Sequence, residues 1–437
     1  MAVQDWMNQM LDVIADLGRS YLDNPGKKHS LASIEGMCRT LLNRRGEASG
    51  TALAKEIVDS FNKMTPVAKS DFLLMLTEKF APDSTKICAA AEEYLKCQES
   101  ETLYNLSRAV ETPRLDLLRL LNIAPGGTSA IINMRETLLK EIKGDERLGP
   151  LDHDLLHVLT SWFNRGFLQF ERVDWNTPAV ILEKLIAYEA VHEIKGWRDL
   201  RRRLAEDRRC FAFFHPALPN EPLIFVEVAY TKGIASEIQP LISQKKPNTN
   251  RNTPDTAIFY SISNCQDGLK GISFGNFLIK QVVDSIHAEM PHIKNFCTLS
   301  PIPGFLKWLH KDYIHRASTS NIFSKTELKL ISSKEWFLDP SIRQTLKGKL
   351  TRLCTSYLCH EKKRKLPYDP VTRFHLGNGA EIEKINWGAD LSRRGLNQSA
   401  GLMVNYRYNP ARIISNHESY VNDGRVAVSN KVKRLLQ

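Results

Sequence analysis

The feature that most constrains this fold is a change in hydrophobic periodicity near residue 190. Before it, apolar residues recur at helical spacing through segments such as 51–65, 69–80 and 85–100. Short breaks that contain Pro or Gly separate these segments, and runs of β-branched residues are few. The pattern predicts that residues 1–187 form an all-helical bundle whose faces pack on another domain or another subunit.

Beyond that point strand-like and helical segments alternate. Strand-like runs are expected at 209–215, 222–230, 256–263, 296–299, 374–376, 382–387 and 401–408. Helices are expected at 277–289 and through most of 325–365. A chain of 437 residues is long enough for two or three domains. We therefore expect an α+β protein, with a helical domain at 1–187 and a mixed α/β domain that carries a helical insertion at 188–437.

The formal net charge of +11 favours an anionic partner. Nucleic acid and a polyanionic cofactor such as coenzyme A (CoA) both fit this charge, but the sequence contains no recognisable nucleic-acid-binding module. No stretch reaches the roughly 20 consecutive apolar residues that span a bilayer. The acidic residues Asp5, Asp12 and Asp16 argue against a mitochondrial transit peptide. These observations predict a cytoplasmic protein without membrane or nucleic-acid partners.

A glycine-bearing turn between a predicted strand and a predicted helix is a candidate phosphate site. Gly271 and Gly275 lie in this turn, where glycine lets phosphate approach the backbone and the helix start offers unpaired N–H groups. Two glycines alone are a weak signal of phosphate binding, since turns between a strand and a helix often contain them. No Gly-Lys-Ser/Thr follows, and the G-x-G-x-x-G spacing is absent, so neither a P-loop nor a Rossmann site is indicated.

Two polar residues are candidates for chemistry. Ser300 ends a strand and precedes Pro301, which holds it extended; an ordinary helix-capping serine remains the favoured interpretation from this motif alone. His375 lies between Phe374 and Leu376 on a predicted strand, where a structural histidine is commoner than a catalytic one. None of the eight cysteines forms a Cys-x-x-Cys pair, so the sequence indicates no zinc site or disulfide framework.

Several uncommon stretches, in this order and at these spacings, resemble the malonyl-CoA decarboxylase family over most of residues 186–410. The stretches are YEAVHEIKGWRDLRRRL (188–204), AIFYSIS (257–263), GLKGISFGNFLIKQVV (268–283), LSPIPGFLKWL (299–309), NGAEIEKINWGADLSRRG (378–395) and GLMVNYRY (401–408). The resemblance implies a helical oligomerisation domain, a catalytic domain of GNAT-type acyltransferase fold and a homo-oligomer, either dimer or tetramer. It also implies that malonyl-CoA is the substrate and acetyl-CoA the product, and that no metal or organic cofactor is needed.

The resemblance also assigns the site. The catalytic serine and histidine fall on Ser300 and His375, which also contact the substrate. The remaining substrate-binding positions are Lys270, Gly271, Ile272, Ser273, Phe274, Gly275 and Asn276. The glycines are four apart, unlike the tighter Gly-x-Gly of the usual acetyltransferase motif.

The chemistry suits these residues. Loss of CO2 from malonyl-CoA leaves a thioester enolate, so the thioester itself is the electron sink. The protein must orient the carboxylate, stabilise the oxygen on which charge develops and protonate the carbon. An imidazole with an ordinary pKa titrates near neutrality and suits that last step. The alternative is a GNAT-type transferase that moves an acyl group from CoA onto an amine; a nucleic-acid-binding protein ranks third.

Overall fold

A computed structural model of the protein describes residues 2–21, 29–43, 46–243, 253–272, 278–313, 323–332 and 335–437. These residues divide into two compact units. The first contains the described residues of 1–169 together with those of the segments 214–223 and 266–274, and the second contains the rest. The domain boundary placed at residue 187 from the sequence stays a prediction.

The helices of the first unit follow one another through short breaks. They are α1 Ala2–Gly18, α2 Leu31–Asn43, α3 Glu47–Lys63, α4 Pro66–Lys79, α5 Ser84–Lys96, α6 Ser100–Val110, α7 Pro113–Ile123, α8 Gly127–Glu141 and α9 Gly149–Trp162. The breaks carry capping residues: the Thr65 side chain accepts a hydrogen bond from the amide of Ala68 at 3.3 Å, and Thr112 accepts one from that of Leu115 at 3.3 Å. In both cases proline occupies the first helical position.

Most of these helices bury an apolar face, and two do not. Phe61 of α3 and Phe72 of α4 are fully buried with ring centroids 5.3 Å apart. In contrast, α5 has no buried residue and Thr102 is the one buried residue of α6. The unit's core therefore lies among the other helices, while α5 and α6 form a largely exposed hairpin.

The second unit is built on an eight-stranded mixed sheet. The strands are β1 Gln169–Val173, β2 Arg208–Phe214, β3 Pro222–Thr231, β4 Thr256–Asn264, β5 Asn295–Thr298, β6 Ser300–Pro301, β9 Glu381–Asn386 and β10 Met403–Arg407, and the short pair β7 Lys362–Lys363 and β8 Leu366–Pro367 forms a separate hairpin. The order is β1-β2-β3-β4-β5-β10-β6, with β9 also paired to β10. Nearly every residue of β2, β3 and β4 is buried, which matches their long apolar runs.

Helices surround and connect these strands. They are α10 Ala179–Tyr188, α11 Trp197–Arg203, α12 Gln239–Ile242, α13 Leu278–Glu289, α14 Phe305–Trp308, α15 Lys325–Ser332, α16 Pro340–Cys359, α17 Pro370–Gly377, α18 Arg393–Ser399, α19 Ile413–Asp423 and α20 Asn430–Leu436. The helical region followed by a sheet with helices confirms the α+β class, and α15 and α16 form the predicted helical insertion. Among the described residues no helix has both the length and the apolar composition needed to cross a bilayer.

Two local predictions were wrong. Residues 374–376 do not form a strand, because they belong to helix α17, whose start is capped by Asp369 and has Pro370 at the first helical position. The strand β1 lies within residues 1–187, which were predicted to be all-helical, and its Phe170 packs between Phe211 and Phe213 of β2 with centroid distances of 5.2 and 5.1 Å. β1 forms a strand because it pairs with β2, and the sequence of one segment does not reveal such a partner.

Candidate active site

The candidate site is a cavity in the second unit, where two parallel strands separate. β4 and β5 pair from Thr256 opposite Asn295 to Phe259 opposite Thr298, and β4 then continues without β5 beside it. A cavity of about 260 Å³ occupies this opening. It is lined by Val191, Phe259, Tyr260, Ser261, Ile262, Asn264, Ser300, Pro301, Pro370, Val371, Phe374 and His375. None of these described lining residues is an acid, a lysine or an arginine.

Ser300 is positioned by the short strand β6. It pairs with Val404 of β10 and is 7% exposed. Its hydroxyl donates to the Oγ1 atom of Thr298 at 2.8 Å, and that Oγ1 also accepts the backbone N–H of Tyr406 at 3.0 Å. Ser300 therefore faces the cavity from a rigid corner of the sheet, as its position before Pro301 predicts.

His375 reaches the same cavity from helix α17. Its ring is almost fully buried and its Nε2 atom lies 3.0 Å from Ser300 Oγ, although 75 residues separate the two in sequence. Its Nδ1 atom lies 2.7 Å from the hydroxyl of Tyr408. The ring also stacks on Tyr406, with centroids 4.3 Å apart and planes at 25°. The structure thus brings together the two residues predicted to be catalytic.

The hydrogen-bond partners indicate which nitrogen of His375 carries the proton. Among the described residues the Tyr408 hydroxyl has no acceptor other than Nδ1, and a buried hydroxyl without an acceptor is costly. Tyr408 therefore donates to Nδ1, which leaves the proton of the neutral ring on Nε2. Since the Ser300 hydroxyl donates to Thr298, Ser300 Oγ accepts this Nε2–H. The result is a directed chain from Tyr408 through His375 and Ser300 to Thr298.

Burial changes the chemistry expected for His375. Because the ring is removed from water with no acidic partner, the pKa of His375 is lowered from its ordinary value to about 3. The imidazole is consequently neutral near neutral pH in the free protein. The ordinary, near-neutral pKa assumed from the sequence was wrong, because the sequence does not show how completely α17 and β10 enclose the ring.

One wall of the cavity is held by a buried carboxylate. The Ser261 hydroxyl lies 2.8 Å from both oxygens of Glu189, and Glu189 Oε1 accepts the backbone N–H groups of Val191 and His192 at 2.7 Å. The carboxylate therefore fixes both Ser261, from β4, and the loop that carries the lining residue Val191.

The loop after Val191 is held by a second charged group. Arg203 donates to the carbonyl oxygen of His192 at 2.8 Å and pairs with Glu227 at 2.7 Å. Arg203 is 3% exposed, so this ion pair is buried.

The glycine turn belongs in part to the first unit. Of the predicted substrate-binding positions in it, Lys270, Gly271 and Ile272 are described, whereas Ser273, Phe274, Gly275 and Asn276 lie outside the described residues. Gly271 has a φ of 87°, a conformation that glycine adopts readily. Arg135 of α8 donates to the carbonyl oxygens of Gly268 and Lys270 at 2.8 Å each, so a buried guanidinium holds the start of the turn.

Four residues of the site were not assigned from the sequence: Glu189, Ser261, Thr298 and Tyr408. Alternation of Tyr406 and Tyr408 along the last strand gave a signal, but it did not tell which tyrosine meets His375. The other three look like ordinary loop and strand residues. Among the described residues no cluster of three or more His, Cys, Asp or Glu side chains is arranged to hold a metal ion.

Comparisons with known proteins identify the family of this chain. The family model of the malonyl-CoA decarboxylase C-terminal domain matches residues 166–437, and that of the N-terminal domain matches residues 80–163. The mitochondrial malonyl-CoA decarboxylase of Rattus norvegicus is 38% identical over 341 residues, which cover 71% of this chain and 68% of the relative. That of Anser anser anser is 34% identical over 397 residues, covering 83% and 79%.

Solved structures give the same result. The crystal structure of malonyl-CoA decarboxylase from Rhodopseudomonas palustris matches with a TM-score of 0.88 and 45% identity, covering 93% of this chain and 100% of that chain. The crystal structure of malonyl-CoA decarboxylase from Agrobacterium vitis matches with a TM-score of 0.84 and 45% identity, covering 92% and 99%.

Proposed function

Because this chain belongs to the malonyl-CoA decarboxylase family, we propose that it converts malonyl-CoA to acetyl-CoA and CO2 with Ser300 and His375 as its catalytic residues. The observation that carries the residue assignment is the 3.0 Å contact between Ser300 Oγ and His375 Nε2 at the edge of a cavity. Both side chains are buried, and the cavity is lined by uncharged groups.

The uncharged lining suits loss of a carboxylate. As the bond between the carboxyl carbon and C2 breaks, its electron pair moves into the thioester and CO2 departs. The charge spreads from a compact carboxylate over a larger enolate. Water stabilises the compact charge more strongly, so a dry pocket lowers the barrier to this change. The Ser300 hydroxyl, which donates to Thr298 in the free protein, donates to the reacting malonyl group when substrate is bound, and a donor at such an oxygen is worth about 3 kcal/mol.

Each turnover adds one proton to C2, and this proton comes from solvent. In the free protein His375 is neutral, but an enolate beside the ring raises its pKa, since a nearby negative charge favours the imidazolium. The protonated ring then gives its Nε2 proton to C2, either directly or across the Ser300 hydroxyl that it contacts. Tyr408 orients the ring in both states, because its hydroxyl donates to Nδ1 of the neutral ring and accepts the Nδ1–H of the protonated ring.

We further propose a GNAT-type fold for the catalytic domain and a phosphate-binding role for residues 270–276. Separation of the parallel strands β4 and β5 around a cavity, and the helix α13 that follows β4, support the fold. The left-handed backbone at Gly271 supports the turn, because such conformations expose successive N–H groups to an anion. The reaction proposed here requires no metal or organic cofactor.

Oligomeric state and location remain predictions. A dimer or tetramer that assembles through the helical region is consistent with the largely exposed α5–α6 hairpin. The names of the rat and goose relatives describe those proteins as mitochondrial; the cytoplasmic location expected for this chain is tested by fractionation of the source cells.

Product analysis tests the function. The purified protein is incubated with malonyl-CoA labelled in its free carboxyl group, with and without an added amine. Release of labelled CO2 together with acetyl-CoA in equal amounts supports decarboxylation. Free CoA and a malonylated amine would instead support the transferase alternative.

A further inference from the structure

Asp369 is a fully buried carboxylate at the start of the helix that carries His375. It is the N-cap of α17, and its Oδ1 atom accepts the backbone N–H of Thr372 at 2.8 Å and the Thr372 hydroxyl at 3.1 Å. An N-cap acid at the surface keeps its charge in water, whereas a buried one has lost that solvation. A capping acid enclosed by the core therefore calls for an explanation beyond helix initiation.

The hydrogen bonds of Asp369 continue to the catalytic ring. The Thr372 hydroxyl donates its one proton to Asp369. The Tyr406 hydroxyl, 2.7 Å away, therefore donates to Thr372 Oγ1. Tyr406 is fully buried, and the His375 ring stacks on it at 4.3 Å. The carboxylate thus terminates a directed chain that holds both the helix beneath His375 and the aromatic ring against its face.

Few charged groups face this carboxylate. Burial raises the pKa of Asp369 from its ordinary value to about 6, and the hydrogen bonds from Thr372 and the nearby cation Arg373 of the same helix act in the opposite direction. Tyr357 and Cys354 approach from α16 and Tyr406 from β10, and burial raises the pKa of each, so all three are neutral near pH 7. Among the described residues Oδ2 of Asp369 has no hydrogen-bond partner and is the atom free to take a proton.

We propose that Asp369 is a positioning residue for decarboxylation, which fixes His375 through Thr372 and Tyr406. The proposal rests on the function proposed above. An ionised oxygen is a stronger acceptor than a neutral one, so the anchor is strongest when Asp369 is charged. Protonation at Oδ2 leaves Oδ1 as a weaker acceptor and loosens the ring that must meet the substrate.

The chain offers a matched control. Asp339 caps α16 in the same way, with Pro340 at the first helical position and the backbone N–H of Ser341 donating to Oδ1 at 2.8 Å. Asp339 is exposed, and hydrogen bonds lower its pKa. Asn and Ala substitutions at both positions therefore separate loss of a helix cap from loss of the buried anchor.

Steady-state decarboxylation is measured from about pH 5 to about pH 8.5 for the full-length parent and the four variants, after a thermal melt confirms folding. Asp369→Ala should lower kcat about 10- to 100-fold, as a displaced catalytic group does, with a smaller effect on KM. Asp369→Asn retains a neutral acceptor and should restore part of this loss. The parent kcat/KM should fall below about pH 6, and Asp369→Asn should lack this fall, because it resembles protonated Asp369 at every pH.

Both Asp339 variants should keep kcat within about twofold of the parent. The proposal is overturned if Asp369→Ala behaves like Asp339→Ala, or if Asp369→Asn keeps the acidic fall in kcat/KM. A second readout does not depend on activity: the ring-nitrogen resonances of ¹⁵N-labelled His375, identified by their absence in His375→Asn. They should shift in Asp369→Ala and stay in place in Asp339→Ala. A parent that releases no CO2 would refute the proposed function, whereas unmoved His375 resonances would refute the positioning role.

Discussion

At the scale of single residues, His375 shows how burial sets the protonation state of a catalytic side chain. In the free protein its nitrogens contact two hydroxyl groups and no carboxylate, and its pKa is lowered to about 3. The ring is therefore held as a neutral donor until a substrate-derived anion forms beside it. This differs from a surface histidine, whose protonation follows the bulk pH.

The first prediction concerns the two catalytic residues. His375→Asn keeps a polar side chain but transfers no proton readily, so kcat should fall on the order of 10²–10⁴-fold. Ser300→Ala loses a hydrogen bond and should impair turnover less. The double variant should lose less than the product of the single effects, since both groups act on one transition state. A folded His375→Asn protein with turnover close to the parent's would leave His375 with a structural role.

A second prediction tests the hydrogen bond that sets the tautomer. Tyr408→Phe removes the donor to Nδ1, so the Nε2–H tautomer loses its support and kcat should fall about 10-fold or more. Tyr420→Phe is the control, because the Tyr420 hydroxyl is also buried but has no hydrogen-bond partner among the described residues. Equal kcat values for the two variants would contradict a role of Tyr408 in orienting the ring.

A third prediction follows from the sign of the pKa shift of His375. Its pKa is about 3 in the folded protein and 6.5 in an unperturbed chain. Between these values the unfolded chain binds a proton that the folded protein excludes, so stability is full above pH 6.5 and falls as pH drops towards 3. Between about pH 7.5 and about pH 5 the parent should lose about 2 kcal/mol more than His375→Asn, measured by urea unfolding. Equal losses would show that His375 stays accessible to protons.

At the scale of elements, apolar runs were sufficient to predict the central strands of the sheet but neither the strand β1 nor every helix start. The bounds predicted for β3, β4, β9 and β10 agree with the structure to within two residues, because buried strands keep long apolar runs. The site helix was missed because Phe374, His375 and Leu376 match a short strand as well as a helical turn. The Asp369–Pro370 pair just before them was the better signal.

The remaining features of the site depend on partners distant in sequence. Glu189 meets Ser261 across 72 residues, and Tyr408 meets His375 across 33 residues. No periodicity in either segment encodes these contacts. The buried Arg203 is a further example, since an arginine on an amphipathic helix is usually solvated unless a buried acid such as Glu227 pairs with it.

The glycine turn carries the fourth prediction. A Cβ at Gly271 would meet no atom within 4 Å, yet the φ of 87° strains most side chains. Gly271→Val should therefore raise the Kd for CoA about 10-fold or more by distorting the turn. Gly271→Asn, which tolerates left-handed backbone better, should raise it less. Calorimetric titration with CoA measures both; a Val variant with unchanged affinity would place the phosphate site elsewhere.

At the scale of the whole molecule, the α5–α6 hairpin presents an exposed apolar surface. Its two helices are amphipathic, yet Leu95, Leu103, Tyr104 and Val110 are between 48% and 71% exposed. Large apolar side chains gathered on neighbouring turns are typical of a surface that another chain covers. Since the sequence predicts that the helical region mediates self-association, we expect a second copy of this chain to cover the surface.

The last prediction is that this hairpin mediates self-association. Leu103→Lys together with Tyr104→Lys places two charges on the exposed apolar side, where burial against a second copy would desolvate them without partners. The solution mass, measured by light scattering on the full-length protein, should then fall to that of a smaller oligomer or the monomer. Val67→Lys is the control, since Val67 is 73% exposed on α4, outside the hairpin; that variant should keep the parent mass.

Because Leu103 and Tyr104 are exposed and support no core, the double variant should also keep the thermal stability of a single chain. An unchanged mass in the double variant would move the interface to other helices, and a monomeric parent would refute the homo-oligomer itself.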